Sequence, residues 1–513
     1  MVLRGITVAL AAAGQPPGAG GTAELTPRQR RMARRQKQHA KQRELRQQEQ
    51  PARLEREQAV EQQRAAAAEE LQQLHVQLLQ QQPDLPLNCP HFASCSGCDL
   101  QSGLAAPPLL ASATRFFAER CAYPGFRLAA GPAQQWRRRA RLAVRRGDDG
   151  EAVVGLFSEG SHDAVDIPDC VAHHPAINAA VSLLREALTA CGVEPYHEAS
   201  GKGELRYLQL TVVQPPAPAG SQDGGQLGAG GAAAAGGTAA AAPAQVQLVL
   251  VWNAAAGEVG DAADERLSAL SDWLWQRQQH GEQQPGSLLH SIWANFQPAA
   301  TNTILGEEWR LLRGAEVAWA RLGGVDICYG PGSFMQANFG AMDAALAAIQ
   351  AHVPAGATVA DLHAGVGTIG LSLAATRAPR WVRFVEINGQ GEPPFQQSAE
   401  RLRASAAGAP PLEYLVGAAG SQPGRWCKGA EVVVLDPPRK GCEPALLRYL
   451  CSDGAAAAGV RRVLYLSCGL PALQRDAAAL LDSGRWRLAH AEAFLFFPGA
   501  DHLETLCVFD KIE

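Results

Sequence analysis

The sequence predicts an α/β protein. Its C-terminal part should be a parallel, doubly wound sheet, and its middle a smaller mixed α/β domain. Two observations carry this. From about residue 345, short apolar runs ("ATVADLHAG", "RWVRFVEI", "VVVLDPP", "RRVLYLSCG", "ETLCVFD") alternate with Ala- and Leu-rich stretches of helical length, the pattern of strands joined by crossover helices. Upstream, "LRYLQLTVV" and "VQLVLVW" read as strands on either side of a Gly/Ala-rich tract at 215–244, a flexible insertion in the loop of a strand pair. The chain has 513 residues, 47% of them hydrophobic and 19% charged, enough for roughly two to four domains.

Five segments follow from composition. Residues 1–25, with Arg4 and few acids, fit a transit peptide or a disordered extension. Residues 26–82 hold Leu71, Leu74, Leu78 and Leu79 at helical spacing in a Gln- and Arg-rich background, which predicts a basic polar helix, a coiled coil or a solvated arm. A cysteine-bearing region spans 83–175, the central domain 176–330 and the catalytic domain 331–513. The net charge of −4 does not point to nucleic acid, yet residues 26–50 carry nine Arg or Lys against Glu44 and Glu49, a cluster suited to phosphate. Twelve cysteines without a disulfide pattern suit a reducing, intracellular compartment, with chloroplast, mitochondrion and cytoplasm all open. No apolar run reaches membrane-spanning length, and nothing requires an obligate protein partner.

"VADLHAGVGTIGLSLA" places Asp361 at a strand end, followed by Gly365, Gly367 and Gly370, with a helix opening near Thr368. Glycines let a backbone approach a ligand closely, and open α/β sheets bind ligands at their strands' carboxyl ends. Glu386 closes the next strand, where a carboxylate can accept from ribose hydroxyls. That spacing keeps NAD in view, but an acid ahead of the glycines resembles an S-adenosylmethionine loop instead. In "VVVLDPPRKGC", Asp436 ends a strand and Pro437-Pro438 stiffens the turn. Arg439 and Lys440 follow, where amino-methyltransferases with a D-P-P turn have an aromatic; the two cations suit a polyanionic substrate.

"CPHFASCSGCDLQ" sets Cys89, Cys95 and Cys98 close together, with Cys170 in "VDIPDCVAHHP" as a distant fourth thiol. Zinc takes four thiolates from two paired C-x-x-C turns more often than from three near and one far. The lopsided set favours a four-cysteine iron–sulfur cubane, with zinc as the alternative.

Together these pieces resemble the RNA uracil-C5 methyltransferase family, which forms 5-methyluridine. The resemblance runs from about Cys89 to Phe509 through the four cysteines, "WRRRARLAV", "GELRYLQLT", "GSFMQANFGAM", "DLHAGVGTIGL", "LDPPRKG", "LYLSCGLPALQRD" and "DHLET". It implies a Rossmann-like S-adenosylmethionine methyltransferase domain, a [4Fe–4S] cluster, an RNA substrate, and cofactor contacts at Gln336, His363, Thr368, Glu386 and Asp436. The absence of a recognisable N-terminal β-barrel module looks more like the shorter ribosomal-RNA members, with transfer RNA as the alternative. Three positions depart from the family pattern: His363 and Ala364 replace an aromatic and a cysteine, and Gly469 replaces an Asn.

The implied chemistry needs a nucleophile, because uracil C5 is a poor carbon nucleophile. A thiolate adding to C6 places electron density on C5, and a base must later remove the C5 proton. Cys468 is the expected nucleophile and Glu504 the expected base, with His502 as a second candidate base and Arg439 stabilising the thiolate and the enolate oxygen. The target uridine would be extruded or single-stranded. Arg137, Arg139 and Arg141 alternate along a strand and would share a phosphate-facing side. An RNA-binding relative without catalysis, and a zinc-containing amino-methyltransferase, are the rival readings.

Overall fold

The computed structural model describes residues 86–213, 244–257, 261–278, 287–405 and 408–512. The expectations for 1–25 and 26–82, and for the insertion apart from Ala244, lie outside the described residues. Among these no helix is long and apolar enough to cross a membrane.

A helix at Pro108–Cys121 precedes the short strand β1 (Leu128–Ala129), and a seven-stranded sheet follows. Its strands are β2 (Arg139–Arg146), β3 (Ala152–Phe157), β4 (Ala164–Asp166), β5 (Leu205–Val213), β6 (Gln245–Trp252), β7 (Leu289–Phe296) and β8 (Glu308–Gly314), in the order β4-β3-β2-β5-β6-β7-β8. The pair bracketing the low-complexity tract, β5 and β6, is antiparallel. Helices Pro175–Cys191 and Asp261–Arg277 cover one face, packing Ile177, Leu184, Leu188, Leu267, Leu270 and Leu274 onto Leu208, Leu210, Leu248, Leu250 and Ile292. The boundary expected at 175 falls inside this sheet: β2–β4 come from one predicted segment and β5–β8 from the other. Strand pairing joins what composition separated.

A hairpin, β9 (Ala318–Leu322) and β10 (Val325–Tyr329), leads into the C-terminal domain. Its two-residue turn, Gly323-Gly324, has φ of 57° and 84°, the left-handed pair that matches strand twist and that glycine adopts without penalty.

The C-terminal strands are β11 (Thr358–Leu362), β12 (Trp381–Glu386), β13 (Leu412–Val416), β14 (Val432–Leu435), β15 (Arg462–Ser467), β16 (Trp486–Phe494) and β17 (Glu504–Lys511). With β1 they form an eight-stranded sheet ordered β1-β16-β17-β15-β14-β11-β12-β13. Both faces are covered. On β15, Leu464 and Leu466 enter one core while Val463 and Tyr465 enter the other, and β14 divides Val432 and Val434 from Val433 and Leu435 in the same way. Burial on both faces is why these strands read as continuous apolar runs.

The strands from β11 to β15 are parallel, as expected, but β17 runs antiparallel to both β15 and β16. The expectation of a wholly parallel sheet is corrected there. An apolar run reports burial and not direction, whereas a short β16–β17 connection forces a hairpin.

The β15–β17 contact should contribute strongly to stability. Leu466 and Leu506 sit opposite each other, both fully buried. Leu466→Ala is expected to lower the urea unfolding free energy by about 2–5 kcal/mol. A loss near zero would mean that this strand pair is not packed as described.

Candidate active site

The chain winds outward from β11 in both directions, to β12 and β13 on one side and to β14 and β15 on the other. That reversal opens a crevice beyond the carboxyl ends of β11 and β14, and the "DLHAGVGT" loop fills its floor. The loop is tied down by carboxylates. Asp361 is fully buried, and its Oδ2 accepts from the Gly370 amide at 2.8 Å. Glu386 accepts from the Gly365 amide through Oε2 and from the Asn388 amide through Oε1, both at 2.8 Å. Gly365 has φ of 58°, and a Cβ built there would meet no atom within 4 Å. The loop crest is therefore open toward a ligand. Gly367, with φ of 85°, caps the helix Thr368–Thr376; a Cβ there would lie 2.7 Å from the Phe395 ring. Its role is to let the loop turn under the helix.

Beyond the strand ends lies a cavity of about 870 Å³. Of the residues singled out in the sequence, Gln336, His363, Gly365, Glu386, Asp436, Arg439, Cys468 and Glu504 all line it. A smaller pocket of about 60 Å³ is lined by Asp361 and Thr368 together with Gln336, His363, Gly365 and Asp436. Six segments of chain between Gln336 and Glu504 thus converge on the larger volume. Asn338 helps to hold Gln336 in place: it caps the helix Phe339–His352 by accepting from Ala341, and it donates to the Phe496 carbonyl at 3.1 Å.

The thiol and carboxylate are set by strand register. β15 and β17 pair from Arg462↔Asp510 to Ser467↔Thr505. Continued by one residue, that register puts Cys468 opposite Glu504, neighbours about 4.5–5.5 Å apart at Cα. Cys468 Sγ lies 4.0 Å from the Pro437 carbonyl. Burial pushes its thiol up to about 11, with Glu504 and Asp436 adding to the rise and Arg439 opposing it. Burial likewise holds the Glu504 carboxyl well above the usual carboxylate range, reinforced by Asp436 and opposed by Arg439. Asp436 is raised to about 6 and Asp361 to about 7, burial being the main cause of each. The free protein therefore holds a neutral thiol beside acids of reduced charge, and any reaction needing thiolate must move a proton.

Four features of the cavity's geometry are not legible in the sequence. His363, at φ of 63°, pairs through Nε2 with Glu443 Oε2 at 3.0 Å, while its Nδ1 is buried without a partner. Trp293 and Trp309 reach in from the seven-stranded sheet. Phe334 and Ile387, 75% and 70% exposed, stand at the rim. A Cβ on Gly469 would lie 2.5 Å from the Arg439 carbonyl oxygen, so at this position the two backbones pack too closely for the Asn of the family pattern.

Cys89, Cys95, Cys98 and Cys170 surround a second, separate cavity of about 80 Å³. The Gly97 amide donates to Cys95 Sγ at 3.3 Å. Burial raises the thiols of Cys95, Cys98 and Cys170, Cys98 to about 11, and mutual repulsion of the group adds to each. Among the described residues no set of three or more Cys, His, Asp or Glu is gathered closely enough for a single metal ion.

The three arginines of β2 and its approach do not form an exposed face, a correction to the sequence reading. Arg137 lies over the Trp136 ring at 4.6 Å and beside the cysteine group, its charge disfavoured by burial and favoured by Cys170, Cys98 and Cys95. Arg139 is buried and donates to Ser333 O, Pro331 O and Gln209 Oε1. Arg141 is exposed, with its Nε donating to Gln209. Strand alternation could not show that both sides of β2 are covered at its start.

No family model matches the chain. An uncharacterized RNA methyltransferase of Protochlamydia amoebophila is 32% identical over 427 residues, covering 83% of this chain and 98% of that protein. One from Halalkalibacterium halodurans is 26% identical over 435 residues, covering 82% of each. Among solved structures, the tRNA (uracil-54, C5)-methyltransferase of Pyrococcus abyssi, in complex with S-adenosyl-L-homocysteine, superposes with a TM-score of 0.54 at 20% identity, over 78% of this chain and 81% of that one. The architecture is thus that of the Rossmann-like methyltransferases. On the full-length match to the Protochlamydia protein and the ordered motifs, the chain belongs to the RNA uracil-C5 methyltransferase family.

Proposed function

We propose that the protein methylates C5 of uridine in RNA through a covalent Cys468 adduct, with S-adenosylmethionine as donor. The observation that carries the reading is the register that sets Cys468 opposite Glu504 on the wall of the cavity reached by the glycine loop. Ribosomal RNA is the favoured substrate and transfer RNA the alternative.

The residues present fit the donor. Gly365 leaves its crest open, Glu386 keeps a carboxylate at the second strand end, and Gln336, Thr368 and Asp436 border the same space. Bound there, S-adenosylmethionine supplies a methyl group on a cationic sulfonium, and the partly charged acids around it favour a cation. The chain's own part is to hold and activate the uracil. Cys468 adds to C6. Arg439, exposed at the same cavity, faces the developing enolate charge. Glu504, in its ionised form, takes the C5 proton so that the thiolate can leave.

The uneven spacing of the four cysteines favours an iron–sulfur cluster in this cavity. Four soft donors surround it, an amide donates to one sulfur and Arg137 offsets their negative charge. Zinc, held by the same four sulfurs at about 2.3 Å, is the alternative.

Three outcomes are expected. RNA incubated with protein and methyl-labelled donor should yield labelled 5-methyluridine on nucleoside mass spectrometry; bound RNA with no label would favour the non-catalytic relative. Cys468→Ala should abolish methylation and any protein–RNA adduct, whereas Glu504→Gln should slow turnover by roughly 10²–10⁴-fold and leave an adduct visible on a denaturing gel. Protein purified without oxygen should contain iron and absorb visible light, and Cys95→Ser should lose both; stoichiometric zinc in colourless protein would replace the cluster with the metal ion.

A further inference from the structure

His502 shares a cavity with Cys468 and is not used by the reading above. It lines the large cavity with Cys468 and Glu504, two positions before the carboxylate. Its ring is fixed edge-on against Phe497, with centroids 5.0 Å apart and planes at 88°. Both ring nitrogens are buried; the ring contacts the Cys468 backbone by a hydrogen bond, which leaves one nitrogen without a partner among the described residues. A buried imidazole nitrogen left unused is costly unless something else uses it. Burial and the Arg439 guanidinium disfavour the protonated ring, while the hydrogen bond with the Cys468 backbone and the charge of Asp501 favour it.

We propose that His502 is the catalytic base that takes the Cys468 thiol proton as sulfur adds to uracil C6. This rests on the uridine-C5 reading above. The S–H bond breaks and its proton passes to an imidazole nitrogen. The sulfur lone pair forms the S–C6 bond, and the C5–C6 electrons move through C4 onto O4 as an enolate. On elimination, the C6–S electrons return to sulfur and His502 returns the proton, so its own charge balance closes. Glu504 keeps its separate task at the C5 proton. Labour is divided because the two protons leave from different atoms at different times.

The charged and titratable groups facing the ring are Arg439 on the turn after β14, Asp501 beside it, and Cys468 and Glu504 at the strand ends. Burial and Arg439 hold the imidazole below its usual value. It is therefore unprotonated through the neutral range and ready to accept. The thiol near 11 is then no obstacle, because thiolate need never form free.

The test separates addition from later steps by using RNA containing 5-fluorouridine. Its fluorine cannot leave as a proton does, so the adduct persists and its rate of formation reads addition. In wild type this rate should be nearly flat from pH 7 to 9. In His502→Gln it should fall by roughly 10²–10⁴-fold at pH 7.5 and climb about tenfold per pH unit as the thiolate fraction grows. In His502→Ala, added imidazole should restore part of it. Donor binding measured by calorimetry on the same proteins reports whether the cavity is intact. A His502→Gln protein that forms adduct at the wild-type rate overturns the proposal. So does a deficit unchanged by both pH and imidazole, which would mark His502 as structural. If wild type itself forms no adduct while still binding donor, the uridine-C5 reading fails first and takes this proposal with it.

Discussion

The antiparallel pairing of β17 with β15 is the constraint on which the rest of the site depends. In a wholly parallel sheet, successive strand ends arrive at the crevice from separate crossovers, and each can slide relative to the next. Here six consecutive residue pairs, Arg462↔Asp510 through Ser467↔Thr505, fix the two chains against each other. A slip of one residue would turn the buried sets of both strands to the wrong faces. The apolar alternation that splits Leu464 and Leu466 from Val463 and Tyr465 thereby also fixes where the sulfur and the carboxylate lie. Packing free energy, gathered far from the chemistry, supplies the positional accuracy that a thiol and a base acting on one ring require.

The connection between β16 and β17 is held from outside the sheet. Asp99 and Leu100 donate their amides to the Gly499 carbonyl, Asp501 accepts from the Leu109 amide, and the Asp501 amide donates to Asp99. A Cβ on Gly499 would lie 3.2 Å from Cys98 Sγ, so the cysteine-bearing segment sits directly against this connection. Trp136 packs edge-on to Phe497, which in turn packs against His502. The cysteine cavity and the large cavity are thus separate volumes with a shared wall. What orders the one stiffens the loop that delivers His502 and Glu504 to the other.

The cavity's electrostatics are governed by burial more than by charge pairing. Asp361, Asp436 and Glu504 are all raised by burial, and His363 opposes the rise at Asp361 and Asp436. Arg439 serves the outer side, opposing the rise at Cys468 and at Glu504. A dry pocket with acids poised near neutrality can bind a cation by ionising and can release a proton at little cost. A strongly paired site could do neither. Thiol chemistry in such a place depends on proton transfer partners, and that is the reason the imidazole beside Cys468 matters.

By itself the sequence determined the local chemistry. The glycine loop, Asp436 before two prolines, the thiol after "VLYLS" and the four unevenly spaced cysteines are short-range patterns, each dictated by the backbone or donor geometry of its own few residues. They sufficed to place a doubly wound sheet and most of the residues lining its crevice. Only the tertiary structure decided direction and neighbourhood. It made β17 antiparallel, ran one sheet across the expected boundary at 175, turned Arg137 and Arg139 inward, and paired His363 with Glu443. The physical reason is that alternation along a strand records which side chains are buried but not what buries them. Register, strand direction and long-range partners are fixed by packing between segments hundreds of residues apart, and no single segment contains that information.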